Sequence, residues 1–161
     1  MLKVIFQNTY ILFCISKSSQ FGKSKGYGRV EMAYYNMARD CGIEIMDSRL
    51  LEENGRAHFM TKRFDREGPE TKHHIQTFCS MQHFDFNEVR SFSYEQLFQT
   101  MRLLKLSYPQ AEQIYRRMVF NVLARNCDDH TKNFAFRLNK VVFCKLTTAY
   151  EICHSYRPNS D

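Results

Sequence analysis

A short polar stretch, residues 126–133 with the sequence NCDDHTKN, concentrates the side chains best suited to chemistry. Two aspartates, two asparagines, a histidine and a lysine lie within it. Apolar periodicity predicts a helix before this stretch, and the extended apolar segment FAF follows it. Carboxylates accept protons and bind hard cations, and amide oxygens bind such cations without adding charge. The pattern indicates a candidate reactive loop between a helix and a strand.

The spacing of Asp128 and Asn133 is typical of protein-kinase catalytic loops, in which the asparagine follows the aspartate by five positions. In such loops the aspartate accepts the proton of the attacking hydroxyl, and the asparagine gives Mg²⁺ a neutral oxygen. Lys132 can neutralise charge on a transferred phosphoryl group, and His130 can donate a hydrogen bond to phosphate. Glu151, after the next strand pair, lies where a second metal carboxylate is expected.

The same residues also have a purely structural interpretation. Asp128 and Asp129 are common capping and turn residues, and Asn133 can simply lie in a turn. Asn126 and Cys127 stand where kinase loops usually have histidine and arginine. Spacing alone therefore leaves both interpretations open.

Composition sets the outer bounds. The chain has 161 residues, 43% of them hydrophobic and 25% charged, which suits one globular domain. No apolar run reaches the ~20 residues that a membrane helix needs, so we expect no membrane association. The six cysteines are scattered without a CxxC pair, which favours reduced thiols and a cytoplasmic protein. The net charge of +6 is compatible with phosphate-bearing ligands. It is also the only sequence feature that favours direct binding to nucleic acid.

The order of predicted elements favours an α+β fold. Residues 1–15 are strand-like, and two strand-like runs around Asn54-Gly55 predict a hairpin. A helix is expected from Arg29 to Gly42, with an inward face of Val30, Ala33, Tyr34, Met37, Ala38 and Cys41. A small β-rich part thus precedes a larger helical part.

The second part begins with a short helix expected within residues 71–82. Ser93 and Pro109 each open a further helix. The inward stripe of the helix at Pro109 is expected to be Ala111, Ile114, Tyr115, Met118, Val119 and Val122. A last hairpin is predicted around Asn139-Lys140.

Several longer stretches together resemble the HipA family of serine/threonine kinases, the toxins of bacterial toxin–antitoxin pairs. They are GRVEMAYYNMARDCGIEI, GRAHFMTKRFDR, HHIQTFCSMQHFDFN, SYEQLFQTMRLLKL, VFNVLARNCDDHTKNFAF and LTTAYEICHSYRP. The combination of KRFDR with DDHTKN carries most of the specificity. These stretches extend from about Gly22 to Pro158.

The resemblance implies a protein-kinase-like α+β fold that is truncated at both ends. Residues 1–66 would be a partial N-lobe and residues 67–161 a partial helical C-lobe. The hinge would lie near residues 62–66, and residues 126–133 would be the catalytic loop. ATP and Mg²⁺ would be the cofactors.

Site residues carry over from the resemblance by position. In the loop, Asp128 would be the catalytic base, with Lys132 and His130 near the phosphates. Asn133 and Glu151 would bind the metal. In the remaining segments, the adenine would meet the stretch Lys62, Arg63 and Phe64, and the ATP-binding lysine would pair with Glu31.

These two segments also have structural alternatives. Glu31 can be a solvated helix acid, and Phe64 an ordinary core residue. Asp65 and Arg66 are expected to form a structural ion pair at the hinge.

The chain departs from the family pattern in three ways. Glu151 replaces the usual aspartate, which places the carboxylate one methylene farther from the backbone. No convincing ATP-binding lysine precedes the first helix, where Lys17, Lys23 and Lys25 are the nearest candidates. No glycine-rich phosphate loop is present, and family members are much longer.

Three functions follow as hypotheses. The first is a HipA-like kinase toxin with a DNA-binding antitoxin of the HipB type as partner and, as substrate, a protein such as an aminoacyl-tRNA synthetase. The second is a catalytically silent pseudokinase or remnant that acts only by binding a partner. The third is a basic nucleic-acid-binding module, which would show steeply salt-dependent binding to DNA.

Overall fold

The computed structural model describes residues 6–7, 10–13, 26–68, 70–85, 92–126, 129–138, 144–150 and 152. Its first sheet has four strands, in the order β1-β2-β4-β3, and every neighbouring pair is antiparallel. The strands are β1 (Phe6–Gln7), β2 (Tyr10–Phe13), β3 (Ser48–Glu53) and β4 (Arg56–Lys62). Asn54 and Gly55 connect β3 to β4 with φ angles of 52° and 71°. This left-handed pair matches the twist of a two-residue hairpin, and the hairpin prediction is confirmed.

Helix α1 (Tyr27–Asp40) packs on this sheet. It begins two residues before the predicted Arg29, and Gly42 follows its end with a φ of +74°. The predicted inward face is wrong in large part, because Val30 and Met37 are 43% and 44% exposed. The buried residues are Gly28, Tyr35 and Ala38.

Gly28 explains why α1 turns this face to the sheet. A Cβ atom at position 28 would lie 2.3 Å from the carbonyl oxygen of Ala57 in β4. Only glycine therefore permits the backbone of the helix to come this close to the strand.

The predicted helix within residues 71–82 is wrong for the first part of that range. Strands β5 (Arg66–Glu67), β6 (Thr71–Lys72) and β7 (His74–Thr77) precede a single turn of helix, α2 (Phe78–Met81). The side chain of Thr77 caps α2 by accepting a hydrogen bond of 3.2 Å from the amide of Ser80. Residues 74–77 are extended because β7 pairs with β8, a partner about 60 residues away in the sequence.

The last three strands form a separate antiparallel sheet in the order β7-β8-β9. Strands β8 (Ala135–Leu138) and β9 (Cys144–Leu146) pair as the predicted hairpin, although its turn lies outside the described residues. Ala135 and Phe136 are almost fully buried. The strand that follows the polar loop is thus anchored in the core.

Helices α3 (Tyr94–Leu103) and α4 (Tyr108–Leu123) begin where the sequence predicts. Ser93 and Gln96 form a complete capping box, and Pro109 lies in the first turn of α4. The main core lies between these helices and the β7-β8-β9 sheet. Its buried members are Phe78, Leu97, Met101, Ile114, Phe134, Phe136 and Leu146.

Helix α4 buries Ile114 as predicted but departs from other parts of its predicted inward stripe. Tyr115 and Val122, both expected inside, are 56% and 72% exposed. Arg117 and Asn121 are buried instead, together with Ile114 and Phe120. The helix thus turns two polar side chains towards the interior.

The observed architecture is α+β, as predicted, with a sheet and one helix before a helical part. Side chains of α4 bridge the two parts, since Gln113 and Arg116 donate hydrogen bonds of 3.1 Å to the carbonyls of Gly42 and Cys41. The division into residues 1–66 and 67–161 stays a prediction. No helix in the described part of the chain is long and apolar enough to cross a membrane.

Candidate functional site

The polar loop lies between the end of α4 and the start of β8. Asp128 and Cys127 lie outside the described residues, so the placement of the expected base stays a prediction. Residues Thr131–Asn133 form one turn of 3₁₀-helix in which the amide of Asn133 donates a 2.9 Å hydrogen bond to the carbonyl of His130. Thr131 and Asn133 are buried, whereas Lys132 is exposed and His130 half-buried. The loop therefore has one fixed side and one side open to solvent.

A chain of side-chain hydrogen bonds connects the loop to helices α3 and α4. Asn126 donates a 3.1 Å bond to the Oδ1 atom of Asn121, and Asn121 donates a 3.1 Å bond to the hydroxyl of Tyr94. Tyr94 in turn donates a short hydrogen bond to the carboxylate of Asp129. Burial, followed by the charge and hydrogen bond of Asp129, raises the pKa of Tyr94. The hydroxyl therefore stays protonated and remains a donor.

The segment before Glu151 lies against the start of β8. The amide of Thr147 donates a 3.0 Å bond to the carbonyl of Ala135, and Arg117 donates a 2.7 Å bond from Nη2 to the carbonyl of Thr147. Burial lowers the pKa of Arg117 to about 10, which still leaves the guanidinium charged at neutral pH. Arg117 thus fixes the segment that leads to Glu151, a residue outside those described.

Tyr150 joins three of the predicted site segments. Its ring stacks on that of Phe64 at the hinge, with centroids 4.3 Å apart and an interplanar angle of 15°. Its hydroxyl donates a short hydrogen bond to the carbonyl of Lys132 in the polar loop. Since Tyr150 immediately precedes Glu151, the structure brings together the hinge, the loop and the start of the expected metal segment.

An ion pair lies at the predicted hinge, and one of its members, Arg63, belongs to the predicted adenine-contacting stretch. Arg63 forms a two-point contact with the carboxylate of Asp65, and this hydrogen-bonded guanidinium lowers the pKa of Asp65. The Nε atom of Arg66 lies 3.9 Å from the same carboxylate. The expected ion pair between Asp65 and Arg66 is thus confirmed, although Arg63 is the nearer partner of Asp65. At Lys62, the amide donates a 2.9 Å bond to the carbonyl of Asp47.

Glu31 is half-buried on α1. It falls on the same side of the helix as Gly28, Tyr35 and Ala38, the side that faces the sheet. This position is inconsistent with a fully solvated helix acid. Its expected lysine partner is not identified, because the described strands before α1 contain no lysine and Lys17, Lys23 and Lys25 lie outside the described residues.

The donor set suits a hard cation by its chemistry. Asn133 offers a carboxamide at a fixed position in the loop, and Asp128 and Glu151 would add carboxylates from residues that the structure does not describe. Oxygen donors of this kind are the ligands that Mg²⁺ takes in proteins. The described residues alone hold no group of three histidine, cysteine, aspartate or glutamate side chains that could bind a metal ion.

Three residues of the site were missed by sequence reasoning: Tyr94, Asn121 and Tyr150. Arg117 and Asn121 are four positions apart on α4, so they lie on the same side of the helix as Ile114, and this spacing was an available signal. Tyr94 and Tyr150 gave none, because nothing local indicates that their hydroxyls reach the loop.

Comparison with known proteins shows the family to which the chain belongs. The family model described as "HipA-like C-terminal domain" matches residues 7–161. No protein of curated function matches the chain in sequence.

Among solved structures, the chain is similar to a protein of the complex described as "Shewanella oneidensis MR-1 Toxin Antitoxin System HipA, HipB and its operator DNA complex". The TM-score is 0.71 at 18% identity, which shows the shared fold. The match covers 83% of this chain and 36% of that chain, so this chain spans about a third of its relative's length. Because the family model extends over nearly all its residues, the chain belongs to the HipA-like C-terminal domain family.

Proposed function

We propose that this chain carries the phosphoryl-transfer centre of a HipA-like protein serine/threonine kinase, with ATP as donor and a protein hydroxyl as acceptor. The observation that carries the proposal is the contact set of Tyr150. Its ring lies on Phe64 of the hinge, and its hydroxyl bonds to the carbonyl of Lys132. A nucleotide-dependent site needs its base-binding, phosphate-binding and metal-binding segments side by side. Tyr150 contacts the two segments to which we assign the first two roles, and it immediately precedes Glu151, to which we assign the third.

In the proposed reaction, Asp128 accepts the proton of the attacking serine or threonine hydroxyl. The hydroxyl oxygen forms a bond to the γ-phosphorus, the bond from that phosphorus to the β,γ-bridging oxygen breaks, and ADP leaves. Lys132 and His130 lie beside this position in the loop and offset negative charge on the transferred group. Asn133 and Glu151 would hold Mg²⁺, which supplies charge neutralisation at the phosphates when bound.

The hinge and α1 have supporting roles in this proposal. Backbone groups of residues 62–64 would meet adenine, while the Arg63–Asp65 ion pair keeps that stretch in shape. Glu31 would orient the lysine that contacts the phosphates. Arg63 itself therefore acts through structure rather than through its charge on the nucleotide.

The setting of the activity also remains a proposal, because the chain spans about a third of its relative's length. The solved relative is described as a HipA in a toxin–antitoxin system with HipB and operator DNA. By analogy, this chain would be part of a toxin that a HipB-type antitoxin restrains. The resemblance further suggests a protein substrate such as an aminoacyl-tRNA synthetase.

Transfer of radiolabel from ATP tests the proposal directly. The purified chain, incubated with γ-labelled ATP, Mg²⁺ and a generic protein acceptor, should transfer label, and Asp128→Asn should reduce the rate by about 100-fold or more. Asp40→Asn is a matched control, because this carboxylate is 70% exposed at the end of α1. Chelation of Mg²⁺ should abolish transfer in both the parent and the control.

The alternative is a silent domain that only binds a partner. It is favoured by glutamate at position 151, where the family resemblance leads us to expect aspartate. A chain that is folded by circular dichroism but shows no heat of ATP binding would establish this alternative and exclude the kinase. Equal label transfer by the parent and Asp128→Asn would exclude Asp128 as the base.

A further inference from the structure

Residues 146–150, which begin at the end of β9, form a segment that we call the strap. Two side chains of α4 hold its first residues by their backbone groups. The amide of Leu146 donates a 2.7 Å hydrogen bond to Oε1 of Gln110, and Nη2 of Arg117 donates a 2.7 Å bond to the carbonyl of Thr147. Gln110 and Arg117 are about two turns apart on the same side of the helix. One side of α4 thus fixes where the strap begins.

The far end of the strap is held by the first part of the chain. The amide of Ala149 donates a 2.8 Å bond to the carbonyl of Glu44, and the carbonyl of Ala149 accepts a 3.1 Å bond from the amide of Met46. These two bonds belong to a parallel bridge between Ile45 and Ala149. The strap therefore extends from α4 to the segment before β3, and Tyr150 directly follows its second anchor.

We propose that Arg117 is a positioning residue for nucleotide binding, because it holds the strap in the place from which Tyr150 reaches both the hinge and the polar loop. The inference rests on the proposed function, in which the backbone of the hinge meets adenine. Tyr150 stacks on Phe64 at a centroid distance of 4.3 Å and bonds to the carbonyl of Lys132. Three residues of chain span at most about 10 Å, so a shift at Thr147 reaches Tyr150 over a short distance.

The burial of Arg117 favours a geometric role over a stabilising one. The residue is only 3% exposed, and its Nε and Nη1 atoms have no hydrogen-bond partner among the described residues. A buried guanidinium loses its hydration, and a bond to one carbonyl offsets only part of that loss. The bond from Nη2 therefore adds little stability relative to an apolar side chain of similar volume, whereas it fixes the orientation of the Thr147 carbonyl.

Amide hydrogen exchange on the full chain tests whether Arg117 holds the strap, without requiring activity. Arg117→Met keeps most of the side-chain volume and removes the donor. In this variant the amides of residues 146–149 should exchange about tenfold faster, because loss of the bond allows local opening. Exchange in the β3–β4 hairpin should be unchanged. Arg102→Met is the matched control, since Arg102 is exposed in the last turn of α3, and it should leave exchange in both regions unchanged.

Titration calorimetry with ATP and Mg²⁺ then tests the consequence for nucleotide binding. Arg117→Met should bind ATP about fivefold more weakly than the parent chain, which is the size of effect expected from the loss of one hydrogen bond. Arg102→Met should bind ATP as the parent does. Circular dichroism at the temperature of the titration verifies that each variant is folded.

A double-mutant cycle tests whether Arg117 acts through Tyr150. Tyr150→Ala alone should weaken ATP binding, because it removes the ring that lies on Phe64. Adding Arg117→Met to this variant should cause no further loss of affinity, since the group that Arg117 positions is already absent. A merely structural role of Arg117 would instead give the same fivefold loss in both backgrounds.

The outcomes separate this inference from the proposed function. Unchanged exchange at residues 146–149 in Arg117→Met, or equal acceleration in the β3–β4 hairpin, would overturn the positioning of the strap. Faster exchange with unaltered ATP affinity, or a fivefold loss that persists in Tyr150→Ala, would overturn the role in nucleotide binding. A folded parent chain that binds no ATP would refute the proposed function and that role with it. The exchange result would still decide whether Arg117 holds the strap.

Discussion

Helices α1 and α4 are both amphipathic in sequence, yet they bury different kinds of side chain. On α1 the buried side consists of Gly28, Tyr35 and Ala38, which pack on or beside a sheet. On α4 the buried side includes Arg117 and Asn121, while Val122 is 72% exposed. Both helices leave apolar residues exposed, but only α4 has polar side chains among its buried residues.

The difference follows from what each helix packs against. The face of α1 covers strands whose backbone groups are paired within the sheet. The buried side chains of α1 therefore need to fit the sheet in shape and need not supply hydrogen bonds. The face of α4 meets the Thr147 carbonyl, in the irregular segment after β9, and the hydroxyl of Tyr94. Buried polar groups of this kind cost free energy unless they are bonded, and Arg117 and Asn121 supply the bonds. A helix that supports loops must therefore carry polar residues inside.

The largest loss of stability is expected at Gly28, where the backbone of α1 lies close to β4. Gly28→Ala should destabilise the fold by about 3 kcal/mol or more, because its Cβ would lie 2.3 Å from the Ala57 carbonyl oxygen. Urea denaturation followed by circular dichroism measures the change. Gly26→Ser is the control, since a Cβ there would meet no atom within 4 Å among the described residues beyond its chain neighbours. It should change stability by less than ~0.5 kcal/mol. Equal losses in both variants would contradict the packing described for α1.

Substitutions of Arg117 test whether the buried side of α4 requires a charged side chain or only one of similar volume. Arg117→Ala should cost about 2–3 kcal/mol, because it leaves a cavity and an unbonded Thr147 carbonyl. Arg117→Met should cost less than ~1.5 kcal/mol, since Nε and Nη1 have no hydrogen-bond partner among the described residues and their desolvation is relieved. The same urea titrations measure both variants. If both variants lost the same free energy of unfolding, the hydrogen bond to the Thr147 carbonyl would contribute more to stability than the packing of the side chain.

The smallest effect is expected on the outward side of α4. Val122→Ser should change stability by less than ~0.5 kcal/mol, because the side chain is largely in water already. Ile114→Ala, on the fully buried side of the same helix, should cost about 3 kcal/mol. Thermal melting of the two variants side by side gives the contrast. A cost near 2 kcal/mol for Val122→Ser would mean that another part of the protein covers this stripe.

Sequence alone predicted the elements whose signals are local. The Asn54-Gly55 turn, the capping box at Ser93 and proline in the first turn of α4 each fix a boundary through bonds within a few residues, and each prediction is confirmed. The sequence also predicted the family, and this prediction is confirmed by the family model that matches residues 7–161.

The inward faces of α1 and α4 and the strand at residues 74–77 could not be predicted in this way. Their outcome depends on partners that are distant in sequence: the backbone of β4, the Thr147 carbonyl and strand β8. The same holds within the site. Residue types gave the polar loop its candidate chemistry, but only the tertiary structure connected that loop to Tyr94 and Tyr150, because hydrogen bonds and ring stacking between remote segments leave no periodic mark in a sequence.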